Sequence, residues 1–238
     1  MFTGFPEETM QFFLDIRFHN NVTYYNENKE RYLRDVQAPF YEFISDMIPY
    51  MQEIDPQTEI RPYKCLARLR RDTRFSRDKS PYRDHLWITF RRAAEPREGS
   101  INYWFELGPS GTGWGLGFWG ENKPVMERFR REIVANPARI SGIINSCDLG
   151  SHHMILSGST HKRMAVPDGV PEHLKPWYTA KELYIPQLHP QMKWAGSREI
   201  FTHVLTDFQT LAPIYRMLRG MQDEIIDEER RANSRDEW

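Results

Sequence analysis

Between Arg68 and His85 the chain reads RLRRDTRFSRDKSPYRDH, a run dense in side chains that hold anions. Guanidinium groups meet phosphate or carboxylate in a planar fork, and a hydroxyl such as that of Ser76 adds a further hydrogen bond. The pattern points to a small phosphorylated or carboxylated ligand. Arg71, Arg74 and Lys79 would bind the anion, Ser76 would hydrogen-bond to it, and Arg68 and Arg70 would extend the patch. Asp72 and Asp78 would orient the cations. A second reading makes the segment an internal brace, in which Asp72, Asp78 and Asp84 each pair with a neighbouring cation. Exposed pairs contribute only about 0.2–1 kcal/mol each, so stability alone is a small reason to gather so many. A third reading takes the interleaved Phe75, Tyr82 and Trp87 as stacking platforms of a weak nucleic-acid binder. Asp78, Tyr82 and His85 could each move a proton, but none has a partner at a spacing that demands it, so the residues assign no catalytic group.

Other motifs carry less. Gly115-Leu-Gly117-Phe-Trp-Gly120 has the G-x-G-x-x-G form, yet the glycines fall inside a strand pattern instead of after it, unlike a dinucleotide loop. Gly113, Gly115 and Gly117 read instead as one bare sheet face that a helix, loop or ligand approaches closely. Gly108-Pro-Ser110-Gly-Thr112 lacks the last glycine of a hydrolase elbow. The eight histidines show no metal-ligand spacing. His152 and His153 are placed on a strand, where neighbours point to opposite faces. His161-Lys162-Arg163 could join a cationic site. Cys65 and Cys147 are too few for a disulfide framework, and Cys65 reads as a core residue. No metal and no cofactor is expected.

The formal net charge of -1 argues against a nucleic-acid protein, which carries a positive excess. Charge is uneven: Arg61 to His85 holds nine Lys/Arg against three Asp, and Asp223 to Trp238 holds seven acids against three Arg. No apolar run nears the roughly eighteen residues that span a bilayer, and the acidic start lacks a signal-peptide pattern. The expectation is a cytoplasmic protein without a membrane partner. Oligomeric state leaves no mark in the sequence.

The elements that must position these residues follow from periodicity. Residues 6–20 pattern as a helix, with Pro6, Glu7 and Glu8 in the first turn. A second helix spans about Val22 to Met47, kinked or broken at Pro39. Alternation then predicts strands at 64–71, at HLWITFRR (85–92), at INYWFEL (101–107) and at GWGLGFWG (113–120), with a loop over 72–82 because Pro81 keeps Ser80 out of the helical region. Asn122 caps a helix with Pro124 in its first turn, PARISGIINSC forms another, and HHMILSG is a candidate strand. From His161 to Gly196 little periodicity shows, and the segment reads as an ordered wrap. Ser197 caps a last helix, broken near Pro213 and running to about Arg230, with a frayed acidic tail. The class is α+β: an antiparallel sheet of about four to six strands flanked by N- and C-terminal helices. No linker or repeat divides the chain, so 1–238 is read as one domain.

The run RDTRFSRDKSPYR resembles the signature of a widespread family of conserved hypothetical proteins, catalogued as a domain of unknown function. HNNVTYYNENKERY, GLGFWGENKPVMERFRREI and HKRMAVPDGVPEHLKPWYTAKEL resemble further family patterns, so the likeness extends along most of the chain. The family puts Trp-Phe at Tyr24-Tyr25, an aromatic at Arg70 and Lys at Arg83, so any contact needing a Trp face or a lysine amine is not carried over. The family has no established activity. The resemblance implies an α+β fold and draws attention to Asn20, Asn21, Asn28, Arg71, Asp72, Arg74, Phe75, Ser76, Asp78, Lys79, Pro81, Tyr82, Lys162 and Lys181.

Overall fold

The computed structural model describes residues 1–190 and 194–236. Helices α1 (Glu7–Phe18), α2 (Val22–Glu27) and α3 (Lys29–Tyr32) lead through a π-helical turn, Leu33–Gln37, into α4 (Ala38–Ile54). A short α5 (Pro62–Cys65) precedes strands β1 (Leu86–Phe90), β2 (Ile101–Gly108) and β3 (Gly111–Phe118). Then come α6 (Lys123–Ala135), α7 (Pro137–Ser146), a 3-10 turn at Glu172–Leu174, α8 (Lys175–Thr179), strand β4 (Tyr184–His189) and α9 (Glu199–Asp236). The four strands form an antiparallel sheet in the order β1-β2-β3-β4. The fold is α+β.

The described chain clusters into two compact units. One is Met1–Ala93, Tyr103–Trp114 and Leu188–Thr206; the other is Ala94–Asn102, Gly115–Gln187 and Asp207–Trp238. In the first unit β1 pairs with β2 in the register Leu86 to Leu107 and Phe90 to Tyr103. Alternation sends Leu86, Ile88, Phe105 and Leu107 into the core, each fully buried. Phe105 stacks on Phe5 and Phe43, at centroid distances of 5.7 and 4.8 Å. The second unit is built on α6, α7 and most of α9, with Phe129, Ile133, Leu211 and Leu218 fully buried.

The structure departs from the sequence pattern at five places. Pro39 lies in the first turn of α4, where it costs little. Lacking an N–H, it leaves the Asp35 carbonyl four residues back without its helical donor. The buried Thr9 hydroxyl donates to that carbonyl from α1, and the π turn absorbs the offset. The expected strand at 64–71 is instead a helical turn followed by an extended arm with isolated bridges, Leu66 to Ile88 and Arg70 to Tyr82. Pro81 opposite the arm has no N–H to give, so the ladder cannot become regular; its carbonyl still accepts from the Arg71 N–H at 2.8 Å. Residues 152–158 form no strand beyond an isolated bridge of Ser157 to Tyr184: His152 and His153 end a turn, with His153 at φ 53°. Strand β4 lies in the stretch read as aperiodic, because Pro186 interrupts its pattern. As the last strand in the sheet order it tolerates a proline. Finally, α9 continues through Pro213 to Asp236, held by the buried Leu211, Ile214 and Leu218 on either side of it.

The glycine reading holds at two positions. A Cβ added at Gly115 would lie 2.1 Å from the Ile185 carbonyl oxygen, and at Gly117 2.9 Å from that of Leu183. The bare face meets the β4 backbone.

Candidate functional site

The motif divides into two parts, an arm and a loop. The arm, residues 66–71, runs beside residues 81–88, joined by the Ala67 N–H to the Trp87 carbonyl at 2.9 Å and the Arg83 N–H to the Leu69 carbonyl at 2.9 Å. Arg83 fixes the arm from outside. Its Nη1 donates to the carbonyls of Arg68 (2.8 Å) and Arg70 (2.9 Å) while its guanidinium lies 4.7 Å from the Trp87 ring centroid. Asn20 holds the opposite segment. Its amide donates to the Tyr82 carbonyl and accepts from the Tyr82 N–H, both at 2.9 Å, as a ladder partner would. Tyr82, buried, stacks on Tyr25 at 4.5 Å. Asn21 caps α2 by accepting from the Tyr24 N–H, and Asn28 donates to the Tyr24 carbonyl. The asparagines singled out by the family resemblance are therefore the clamps and caps of this corner.

In the loop, residues 72–80, and at Arg71 where the arm enters it, the cations other than the exposed Arg77 have partners. Arg71 pairs with Asp78. Arg74 forks onto Asp72, with Nη2–Oδ2 at 2.7 Å and Nε–Oδ1 at 3.0 Å. Lys79 Nζ donates to the Thr73 carbonyl at 2.9 Å. Arg74 beside Asp72 holds that carboxyl down to about 2. Hydrogen bonds from Ser80, then the Arg71 guanidinium, hold Asp78 at about 2. Ser76 gives its N–H to the Thr73 carbonyl. Phe75 stands 95% exposed at the tip. Just past the loop, Asp84 accepts from Arg17 at 2.5 Å and contacts His85 at 2.9 Å. Burial would raise the Asp84 pKa, but those two partners outweigh it and the carboxyl sits low.

Arg68 and Arg70 have another setting. Both are exposed, and neither side chain has an ion-pair or hydrogen-bond partner among the described residues. Both line a cleft of about 420 Å³. Its walls include Tyr25, Tyr32, Tyr41, Tyr63 and Tyr82. Burial raises the pKa of Tyr25, Tyr32 and Tyr41, so these phenols stay protonated donors at neutral pH. No described lining residue is Asp, Glu or His. The cleft thus offers guanidinium and phenol donors with aromatic faces, and no carboxylate competes for them.

Of the candidate residues, the structure brings Arg68 and Arg70 to the cleft, and engages Arg71, Asp72, Arg74, Asp78 and Lys79 within the loop. Sequence reading missed Tyr41 and Tyr63 as residues that line the arginines' cleft. Tyr25 and Tyr32 fall within the helix expected over Val22 to Met47; nothing local in sequence joins them to residues forty positions on. Cys65 and Cys147 are free and buried, and burial pushes the Cys65 thiol up to about 12. Among the described residues no group of three His, Cys, Asp or Glu is placed to hold a metal, and no helix is long and apolar enough to cross a membrane.

The chain matches the family described as Conserved hypothetical protein (DUF2461) over residues 8–217, and it belongs to that family. The match takes in the clamps, the motif and the walls of the cleft. No curated protein and no solved structure matches the chain.

Proposed function

We propose that the tyrosine-walled cleft binds a small phosphorylated or carboxylated molecule, held by Arg68 and Arg70. The observation that carries this is the pair of exposed guanidiniums, without acid partners, on one cleft of donors. A ligand carboxylate or phosphate would supply the missing counter-charge in fork geometry. The aromatic walls favour a ligand with a flat or apolar body. Arg71, Arg74, Ser76 and Lys79, with Asp72 and Asp78 orienting them, form the frame that carries the arm. The absence of carboxylate or imidazole from the described lining favours binding over acid–base chemistry. The reading keeps the protein in the cytoplasm, in line with its two free thiols.

The brace reading has its own support in the Arg71–Asp78 and Arg74–Asp72 pairs. On that reading the protein is a non-catalytic interaction protein. Calorimetric titration separates the two. Phenyl phosphate and benzoate, at constant ionic strength, are expected to bind the wild type. Arg68→Ala and Arg70→Ala should each weaken binding about tenfold or more. Arg77→Ala, which removes an exposed cation outside the cleft lining, should leave it unchanged. Absence of binding by either probe, or equal loss in Arg77→Ala, rejects the cleft as the site.

A further inference from the structure

The second unit holds its own cleft, about 350 Å³, whose chemistry differs from that of the tyrosine cleft. Helix α6 lines one wall with Lys123, Glu127 and Arg130, spaced four and three residues apart and so on one face. The other wall is an irregular pair of segments, bridged at Thr160 and Ala180. There the His161 N–H donates to the Thr179 carbonyl at 2.8 Å and the Lys181 N–H to the Ser159 carbonyl at 2.9 Å. Arg130 ties the two walls together: Nε donates to the Tyr178 carbonyl at 2.9 Å and Nη2 to the Ala180 carbonyl at 2.6 Å. Its guanidinium plane is therefore fixed, while Nη1 has no partner among the described residues.

Charge balance narrows what fits. Lys123 and Glu121 pair at 3.3 Å. Lys181 and Glu127, both exposed, have no ion pair among the described residues. The cleft thus presents two cations without an acid partner, Lys181 and Arg130, and one open anion, Glu127, together with His161, Met126 and Met164. Thioether side chains adapt to unbranched apolar groups. A phosphate dianion would meet two carboxylates here, and a plain amine would meet Arg130 and Lys181. A molecule carrying both charges answers the two cations with its carboxylate and Glu127 with its ammonium.

We propose that this cleft binds a zwitterion of the α-amino-acid type with an unbranched apolar side chain. The carboxylate lies toward Lys181 Nζ and Arg130 Nη1, the ammonium toward Glu127, and the side chain on Met126 and Met164. The site is independent of the anion cleft, and it gives a role to Lys181, which the resemblance singled out. Lys162, also singled out, is not among its described lining residues.

The test is calorimetric titration of the full chain with three probes of matched chain length. Norleucine carries both charges, hexanoate lacks the ammonium, and pentylamine lacks the carboxylate. Norleucine should bind, with each single-charge probe weaker by about tenfold or more. Lys181→Met and Glu127→Gln should each weaken norleucine by a similar factor and bring its affinity toward that of the corresponding single-charge probe. Lys162→Met should leave it unchanged. Both altered side chains are exposed, so the variants should keep the wild-type melting temperature. If either does not, Lys181→Gln and Glu127→Ala repeat the test. No heat from norleucine, hexanoate or pentylamine binding as tightly as norleucine, or equal loss in Lys162→Met would overturn the proposal.

Discussion

Arg70 and Arg74 lie four residues apart in one motif and have opposite surroundings. Arg74 forks onto Asp72, inside a loop whose Lys79 is engaged and whose Asp78 pairs with Arg71 at the end of the arm. Arg70 lines a cleft with Arg68, and no acid answers either. The difference teaches that the number of cations in a segment says little about a site. What matters is whether each cation already has its acceptor. Arg74 and Lys79 have acceptors within the loop, which suits a frame; Arg68 and Arg70 have none among the described residues, and on the proposed function the arm is the contact. The cleft of the second unit extends the comparison, since its acids change the class of ligand it can take.

The largest effect expected lies outside the motif and sets the scale for the rest. Gly115→Val places side-chain atoms where even a Cβ would be 2.1 Å from the Ile185 carbonyl oxygen. Overpacking of this kind costs about 1–3 kcal/mol or more. A denaturant melt unchanged from wild type would show that β4 yields at that point and that the bare face has another reason.

Next comes Asn20→Ala, which sharpens the contrast between frame and contact. It strands the Tyr82 N–H and carbonyl together, and should cost about 1–3 kcal/mol. Because Tyr82 lines the cleft, anion affinity should fall with stability. Stability lost with affinity intact would uncouple the clamp from the cleft and break the proposed link between them.

A smaller effect concerns pH. Asp72 and Asp78 have folded-state values depressed to about 2 from 3.8. Depressed carboxylates contribute stability above their unfolded values and lose it as pH falls through the folded ones. The loop pairs should therefore persist at neutral pH and open between about pH 4 and pH 2. Carboxyl NMR titration should give midpoints near 2 for these two residues. Midpoints at the ordinary aspartate value would mean that the loop cations are free, and the contrast with Arg70 would vanish.

Much of the frame was legible in the sequence, because it rests on local signals. The α1 helix, the alternation in β1 to β3, the Asn122 cap and the first-turn Pro124 need only neighbouring residues to be read. Pro186 hid β4, since a proline within a run lowers its reading as a strand and only sheet order shows it to be an edge. The arm at 66–71 had the right alternation but an opposing proline, which no inspection of 66–71 alone could reveal. The motif announced a cationic site, yet the division between paired and open cations depends on which carboxylate each reaches. Arg71 finds Asp78 and Arg74 finds Asp72, whereas Arg68 and Arg70 find no acid and line a cleft with tyrosines from residues 25 to 82. That is tertiary information, and charge counts do not hold it.

The central claim is that the arm, not the loop, meets the ligand. Urea melts of wild type, Arg70→Ala and Arg74→Ala test it, each with and without phenyl phosphate at constant ionic strength. A ligand that binds only the folded state raises stability in proportion to its affinity. The account predicts that phenyl phosphate stabilises wild type and Arg74→Ala alike and has little effect on Arg70→Ala. Stabilisation retained in Arg70→Ala and lost in Arg74→Ala would contradict it and return the site to the loop.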